Sequence, residues 1–289
     1  MGQDIIVNGL INGSIYALLA VGFSLIFGVA RLVNIAHTAL YMTAAYLIYI
    51  GLNHWGISTL PSVLISVLFT VALGLACYQL FIKPIREHEA AVLIATIALA
   101  MVIQEIFLLK FKGHYLGVPP LATGYFMVGS IKVANQHLLA FGVAVLALVA
   151  TWLFLFKTRI GLAIRCTAQD REVANLMGIN VNREIMVALG ISVGMAAVAG
   201  AIVAPLSVID PHMWLHPLIM MLAIVVLGGL GSIRGSFIAS YILGFAEAIV
   251  VFVVPMGAFL KGSVALSIMI LVLLIRPEGL FGVAFEEER

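Results

Sequence analysis

Polar side chains interrupt several long apolar stretches of this sequence. Asn8, Asn12 and Tyr16 recur every four residues, so on a helix they share one face. Polar groups in a membrane-spanning helix are costly, and they mark either a solute pathway or a hydrogen bond between helices. Both interpretations stay open for the candidate pathway residues Asn8, Asn12, Tyr16, Asn34, His37 and Glu247. We expect Glu247 to pair with a hydroxyl or backbone group, or to stay protonated.

Motifs of enzymes and nucleotide-binding proteins are not found in the sequence. It contains no zinc signature, nucleophile elbow or Walker A loop, and the glycine-rich run GGLGSIRGS has no Lys to hold a triphosphate. No basic patch with interleaved aromatic residues indicates nucleic acid. We therefore expect a protein that is not an enzyme and holds no cofactor or metal, so that any ATP hydrolysis belongs to a partner subunit.

Charged residues gather in the stretch Lys157–Glu184. Within it, residues from Asp170 to Met177 follow a helical pattern that Gly178 ends, because glycine adopts a left-handed stop at least cost. A short amphipathic helix between two membrane spans predicts a docking element. The alternative is a solvated loop helix without a partner.

The composition predicts that membrane-spanning helices position these residues. Of the 289 residues, 63% are hydrophobic and 10% charged, with mean hydropathy +1.19, whereas soluble domains carry about 25% charged residues. We predict an all-α membrane protein forming a single transmembrane domain over 1–289, with about eight spans of about 20 residues each. The predicted spans are 5–29, 35–52, 60–82, 90–109, 137–156, 185–206, 236–254 and 263–276.

One further apolar segment, Pro217–Leu230, is short for a span and runs into glycines. We predict a re-entrant or half-helix that breaks at Gly228–Gly235 and returns. Whether it crosses the whole membrane stays open at this point.

Lys and Arg residues predict the orientation. If Lys157–Glu184 is cytoplasmic and Pro217–Leu230 is counted as a crossing, eleven Lys and Arg residues lie inside and four outside. The positive-inside rule then places the N-terminus outside and the C-terminus in the cytoplasm.

Small residues at four-residue spacing predict close helix packing. Gly9 with Gly13 and Gly190 with Gly194 each form a GxxxG pattern. Such patterns let helix backbones approach within a membrane. They predict a compact bundle and locate no site.

Four blocks resemble the permease of the branched-chain amino acid type of ABC transporter, in the same order and over nearly the whole chain. They are GLINGSIYALLAVGFSLIFGVARLVNIAH (9–37), TRIGLAIRCTAQDREVANLMGI (158–179), VLGGLGSIRGSFIASYILGFAEA (226–248) and IRPEGLFG (275–282). The family usually has Gly after Ala36–His37, where this chain has Thr38.

The resemblance implies that the charged loop carries a coupling helix for an ATPase subunit. Glu172, Ala174 and Gly178 match the E-A-A-x-x-x-G pattern of importer permeases, and Val173 replaces its second position. The residues implied for coupling are Arg165, Asp170, Arg171, Glu172, Ala174, Leu176 and Gly178.

The resemblance also implies the partners: ABC ATPase subunits, a second permease subunit (identical or different), a periplasmic or extracellular solute-binding protein and membrane lipid. The chain would then be a multi-pass protein of the cell (inner) membrane that imports branched-chain or related hydrophobic amino acids. Three alternatives stay open: an importer of another small solute such as urea, an amide or an aromatic acid; an ion-coupled secondary carrier; and a structural membrane subunit.

Overall fold

The computed structural model describes residues 2–128 and 131–282, which are mainly helical. The helices are α1 (Gly2–Ala30), α2 (Ala36–Asn53), α3 (Thr59–Cys77), α4 (Glu89–Phe111), α5 (Asn135–Lys157), α6 (Arg159–Gln169), α7 (Arg171–Leu176), α8 (Val181–Val203), α9 (Leu215–Gly228), α10 (Ile233–Val253) and α11 (Lys261–Ile275). Strands β1 (Tyr125–Val128) and β2 (Ile131–Ala134) pair as an antiparallel hairpin. The predicted all-α membrane class is confirmed.

Seven helical segments in the described residues are long and apolar enough to cross a membrane. They are Gly2–Ala30, Thr59–Ile85, Glu89–Phe111, Asn135–Lys157, Val181–Val203, Ile233–Val253 and Gly257–Ile275. Each overlaps a predicted span. The second one extends α3 through a π-helical turn and a 3₁₀ turn that end at Ile85.

Helix α2 matches the remaining predicted span but is not among these seven apolar segments. Its sequence includes His37, Thr38, Tyr41 and Tyr46, which lower its hydropathy, and all four are buried. The helix packs between α3, α4 and α8. Because protein rather than lipid surrounds α2, its polar residues are compatible with a place inside the bundle.

Helix α1 is the central helix, and most of its residues are buried. It packs antiparallel to α10: Gly9 lies against Phe245, and Gly28 lies against Gly231. A Cβ atom on Gly244 would lie 2.7 Å from the Cα of Gly13, so this crossing depends on small residues. The GxxxG of Gly9 and Gly13 therefore packs as predicted.

The other GxxxG pattern does not make a backbone contact of this kind. A Cβ on Gly190 would be 4.0 Å from Leu75, and one on Gly194 would be 3.7 Å from Val71, which are ordinary side-chain contacts. Helix α8 instead approaches α2 most closely at Gly200, whose added Cβ would overlap the Tyr41 carbonyl oxygen.

The two ends of the bundle can be named from their loops. The loop end holds the stretch between α5 and α8, where the Arg171 Nε–H donates to the Val29 carbonyl at the end of α1. The hairpin end holds the β hairpin and Leu116, whose N–H donates to the Ile209 carbonyl at 3.0 Å.

The short apolar segment becomes α9, which ends at Gly228. The chain reverses through Gly229 (φ +96°) and Gly231 (φ +80°), and the Ser232 hydroxyl accepts the Gly235 N–H to begin α10. The break predicted at Gly228–Gly235 is therefore confirmed. Helix α9 starts inside the bundle, short of the hairpin end, and reaches the loop end. Its 14 residues extend only about 21 Å.

Candidate functional site

The first candidate site is the surface of α7 at the loop end. The Asp170 Oδ1 caps this helix, because it accepts the N–H groups of Glu172 at 2.8 Å and Val173 at 3.0 Å. Gly178 (φ +82°) ends it, and its N–H donates to the Asn175 carbonyl. Both ends of this short helix are fixed by local bonds, and the left-handed stop at Gly178 is as predicted.

Among the apolar side chains of α7 and the adjacent Met177, one is buried and three are exposed. Ala174 is 3% exposed and faces the bundle. Leu176 is 86% exposed and Met177 is 78% exposed, and Val173 is also exposed. They lie outside the apolar spans, and exposed apolar patches of this kind are typical of surfaces that contact another protein or a membrane.

Arg171 links α7 to the centre of the bundle. Its Nε–H donates to the Val29 carbonyl at 3.0 Å, at the end of α1. Burial lowers the pKa of the Arg171 guanidinium, and the nearby charges of Arg31 and Arg86 lower it further. An arginine stays charged despite such a shift, so three guanidinium groups are held near one another at this end of the molecule.

Helix α6 was not predicted as a separate element of the loop. The Thr158 hydroxyl caps it by accepting the Gly161 N–H at 3.0 Å. The Arg165 Nε–H donates to the Leu155 carbonyl, and its guanidinium lies 4.7 Å from the Phe156 ring centroid. Arg165 therefore fixes α6 on α5.

A cleft of about 640 Å³ opens beside α7. It is lined by Arg86, Arg171, Glu172, Asn175 and residues 178–182. One wall is fixed by Arg86, whose Nη1–H donates to the Asn182 Oδ1 at 2.7 Å. The exposed patch and this polar cleft together form a surface of mixed character.

The second candidate site is a polar cluster inside the bundle, formed by Tyr16, His216, Glu247 and Lys261. The Tyr16 hydroxyl donates to the Glu247 Oε2 at 2.6 Å, and the Lys261 Nζ lies 2.8 Å from the Glu247 Oε1. The His216 Nε2 is 3.3 Å from the Tyr16 hydroxyl. Glu247 is 2% exposed and Lys261 is 34% exposed. The expected pairing of Glu247 with a hydroxyl is confirmed, and the cluster joins α1, α9, α10 and α11.

The other predicted pathway residues are not part of this cluster. The Asn8 Nδ2 donates to the Asp4 carbonyl of its own helix, and Asn12 is half-buried one turn before Tyr16. His37 is fully buried, with its ring 6.3 Å from that of Phe23.

Asn34 lies in the link between α1 and α2 and is buried. Because Phe23 follows Tyr16 by seven residues, the Phe23–His37 contact is about 10 Å along α1 from the cluster. Asn34 and His37 are therefore nearer to the loop end than the cluster is.

His216 and Lys261 are the members of the cluster that sequence reasoning did not select. His216 stands near the start of α9, and Lys261 begins α11, so both resemble residues of connecting loops. Nothing in their local sequence shows that they point toward Tyr16 and Glu247.

Comparison with known proteins identifies the family. The profile of the family described as "Branched-chain amino acid transport system / permease component" matches residues 5–274. The chain belongs to this permease family. The family resemblance inferred from the four sequence blocks is therefore confirmed.

Relatives of this permease match over nearly their full length. It is 32% identical to the high-affinity branched-chain amino acid transport system permease protein BraD of Pseudomonas aeruginosa over 292 residues, covering 96% of this chain and 94% of BraD. It is 30% identical to LivH of Escherichia coli K12 over 294 residues, covering 95% and 94%. A probable LivH of Methanocaldococcus jannaschii is 29% identical over 305 residues, covering 99% and 95%.

A solved structure supports the fold of the permease. PsaBC from Streptococcus pneumoniae in complex with Fab aligns with a TM-score of 0.53 at 14% identity, covering 95% of this chain and 92% of that chain. At that identity the similarity concerns the fold alone.

Proposed function

We propose that this permease is the membrane-spanning subunit of an ATP-driven ABC importer for branched-chain or related hydrophobic amino acids. Its relatives BraD and LivH are named for branched-chain amino acid transport. The observation that carries the proposal is the exposed patch of Val173, Leu176 and Met177 on a helix capped at both ends outside the spans. These apolar side chains are exposed to water on a helix whose two ends are fixed, and a groove on an ATPase subunit would bury them.

The loop end can transmit movement into the bundle. Helices α6 and α7 stand between α5 and α8, and α8 packs against α1, α2 and α3. Closure of two ATPase subunits would push α7, and the Arg171–Val29 bond would carry that motion to α1. Such rigid-body coupling between distant sites is a common mode of switching.

The polar cluster supports a solute path near the hairpin end. Asn8, Asn12 and Tyr16 follow one face of α1, which leads to Glu247. We propose that this face provides the polar lining of the outer half of the pathway. Asn34 and His37 would then contribute only to the inner half.

The orientation follows from the charges of the loop end. We propose that Lys157–Glu184 faces the cytoplasm, which places the N-terminus outside and the C-terminus inside. The hairpin end would then receive solute from a binding protein, and a second permease subunit would complete the pathway.

The test is association with the cognate ATPase. We expect Leu176→Glu to abolish co-purification with that ATPase and ATP-dependent uptake, because a carboxylate would enter an apolar groove. The matched control is Phe126→Glu, an exposed aromatic residue of the hairpin at the other end, which should leave both intact. An ATPase complex that survives Leu176→Glu would refute the proposal.

A transport assay separates the alternatives for mechanism and solute. Proteoliposomes that contain the permease without an ATPase should show no uptake under an ion gradient. Uptake under that gradient would favour the secondary carrier instead. Binding of leucine, isoleucine or valine by the partner binding protein is expected, whereas exclusive binding of urea, an amide or an aromatic acid would contradict the proposed solute class.

A further inference from the structure

A groove on the outer face of the bundle lies between α5 and α10, and it shares no lining residue with the cleft beside α7 or with the polar cluster. Its volume is about 450 Å³, and apolar side chains dominate its lining. Val21, Leu148 and Leu155 are buried at its floor, and Trp152 and Phe237 are exposed along its sides. The floor from Leu148 to Leu155 follows α5 for about 10 Å, which suits a length of extended hydrocarbon chain.

One end of this groove carries positive charge. Arg234 lines it and is exposed in the first turn of α10. In the described ranges 2–128 and 131–282, the Arg234 guanidinium has no ion pair or hydrogen bond. The Arg165 guanidinium lies over the ring of Phe156, which also lines the groove. One guanidinium thus lines this end of the groove, and a second lies against the lining residue Phe156.

The depth of that end corresponds to a membrane interface. Helix α5 ends at Lys157 and α10 begins at Ile233, and both are apolar spans. Arg234 therefore lies where a span leaves the hydrocarbon, at the level of lipid headgroups. A guanidinium binds phosphate through several N–H groups in a fixed geometry.

From this charge and shape complementarity we propose that the groove binds one anionic glycerophospholipid. Its phosphate contacts Arg234, and one acyl chain packs along Leu148, Trp152 and Phe237. The lipid would fill the gap between α5 and α10, the two helices that flank it. The proposal requires only that the chain is embedded in a membrane, so it is independent of the transported solute.

Trp152 makes the site measurable. In a variant with Trp55→Phe and Trp214→Phe, Trp152 is the sole tryptophan, and its fluorescence is quenched by lipids with brominated acyl chains. We expect brominated phosphatidylglycerol to reach half-maximal quenching at about fivefold lower mole fraction than brominated phosphatidylcholine. That factor corresponds to the roughly 1 kcal/mol that one cationic side chain contributes at an anionic surface.

If the double variant does not fold, the difference in quenching between the native protein and Trp152→Phe gives the same quantity. Arg234→Gln should remove the preference for phosphatidylglycerol. Arg183→Gln is the matched control, because Arg183 is also exposed in the first turn of a span but does not line the groove, and the preference should persist.

Three outcomes would overturn the proposal. Equal quenching by the two lipids would mean that no anionic lipid is selected. A preference that survives Arg234→Gln would place the selecting charge elsewhere. Protection of Trp152 from both lipids in the intact complex would show that a protein subunit covers the groove.

Discussion

The buried cluster around Glu247 is polar within an apolar bundle, whereas the surface of α7 is apolar outside the spans. The cluster places a carboxylate, an ammonium group and a hydroxyl inside a bundle of apolar helices. The α7 surface places Leu176 and Met177 outside the spans, where water is the solvent. Each arrangement is unfavourable unless another group compensates for it.

The two regions differ in where that compensation lies. Tyr16 and Lys261 satisfy Glu247 within the chain, so the cluster can join four helices without help. The exposed apolar side chains of α7 stand on a helix that is held by local backbone hydrogen bonds. These bonds fix the helix but leave the side chains exposed. We infer that changes in the cluster act on stability as well as on the proposed solute path, whereas changes at α7 act mainly on association with a partner.

Removal of the ammonium group should have the largest effect on stability. Lys261→Met leaves the Glu247 carboxylate buried without its cation, and breaking a buried pair in this way typically costs about 3–5 kcal/mol. Because Lys261 is 34% exposed, solvent screening reduces our expectation to roughly 2 kcal/mol. The midpoint of thermal denaturation in detergent should fall by several degrees.

The double variant Lys261→Met with Glu247→Gln is the control for this change. It removes both charges and keeps an acceptor for the Tyr16 hydroxyl, so most of the lost stability should return. If the double variant is as unstable as Lys261→Met alone, electrostatic pairing is not what stabilises this part of the bundle.

The two regions also differ in how well the sequence predicts them. The α7 helix depends on neighbours in sequence, and both Asp170 and Gly178 could be identified from residue type alone. Predicted limits at Asp170 and Met177 correspond to observed limits at Arg171 and Leu176. Helix α6 was missed because its 11 residues are few and lie inside a stretch that stands out for its charges.

The cluster depends on contacts that no local pattern contains. Tyr16 and Glu247 were each selected as polar residues in spans, but 231 positions separate them. Their pairing requires the antiparallel contact of α1 with α10, which forms where Gly13 meets Gly244. The span positions were predictable because hydropathy is local, whereas the partners of buried polar groups were not.

Tyr16→Phe should have a smaller effect than Lys261→Met. It removes a hydroxyl that donates to a buried carboxylate at 2.6 Å, and hydrogen bonds to charged groups contribute about 1.5–3 kcal/mol. We expect a loss near 1.5 kcal/mol, because Lys261 still compensates the charge. Thermal denaturation in detergent measures it.

Tyr241→Phe is the matched control on the same pair of helices. Its hydroxyl lies 2.8 Å from that of Ser14, and neither group is charged. The loss should stay near 1 kcal/mol or below, since Ser14 also donates to the Leu10 carbonyl. A larger loss at Tyr241 than at Tyr16 would mean that packing of α1 on α10, rather than the charge of Glu247, sets these energies.

Asp170→Ala should have the smallest effect on stability, and its effect on function tests the other region. The change removes the cap that accepts two N–H groups of α7, and such caps contribute about 1 kcal/mol. A loss of about 1 kcal/mol should lower the ratio of helical to unfolded α7 about fivefold, because 1.4 kcal/mol corresponds to a factor of ten. ATP-dependent uptake should decrease by up to that factor, with the denaturation midpoint of the bundle unchanged.

Asp170→Asn distinguishes a cap from a charge at the same position. An asparagine oxygen accepts the same N–H groups, so uptake should remain close to that of the native protein. If Asp170→Asn is as defective as Asp170→Ala, the carboxylate itself contacts the ATPase, and Asp170 belongs to the docking surface as a charged contact. If both variants transport normally, α7 does not need its cap to dock, because the partner's groove supplies the energy that orders it.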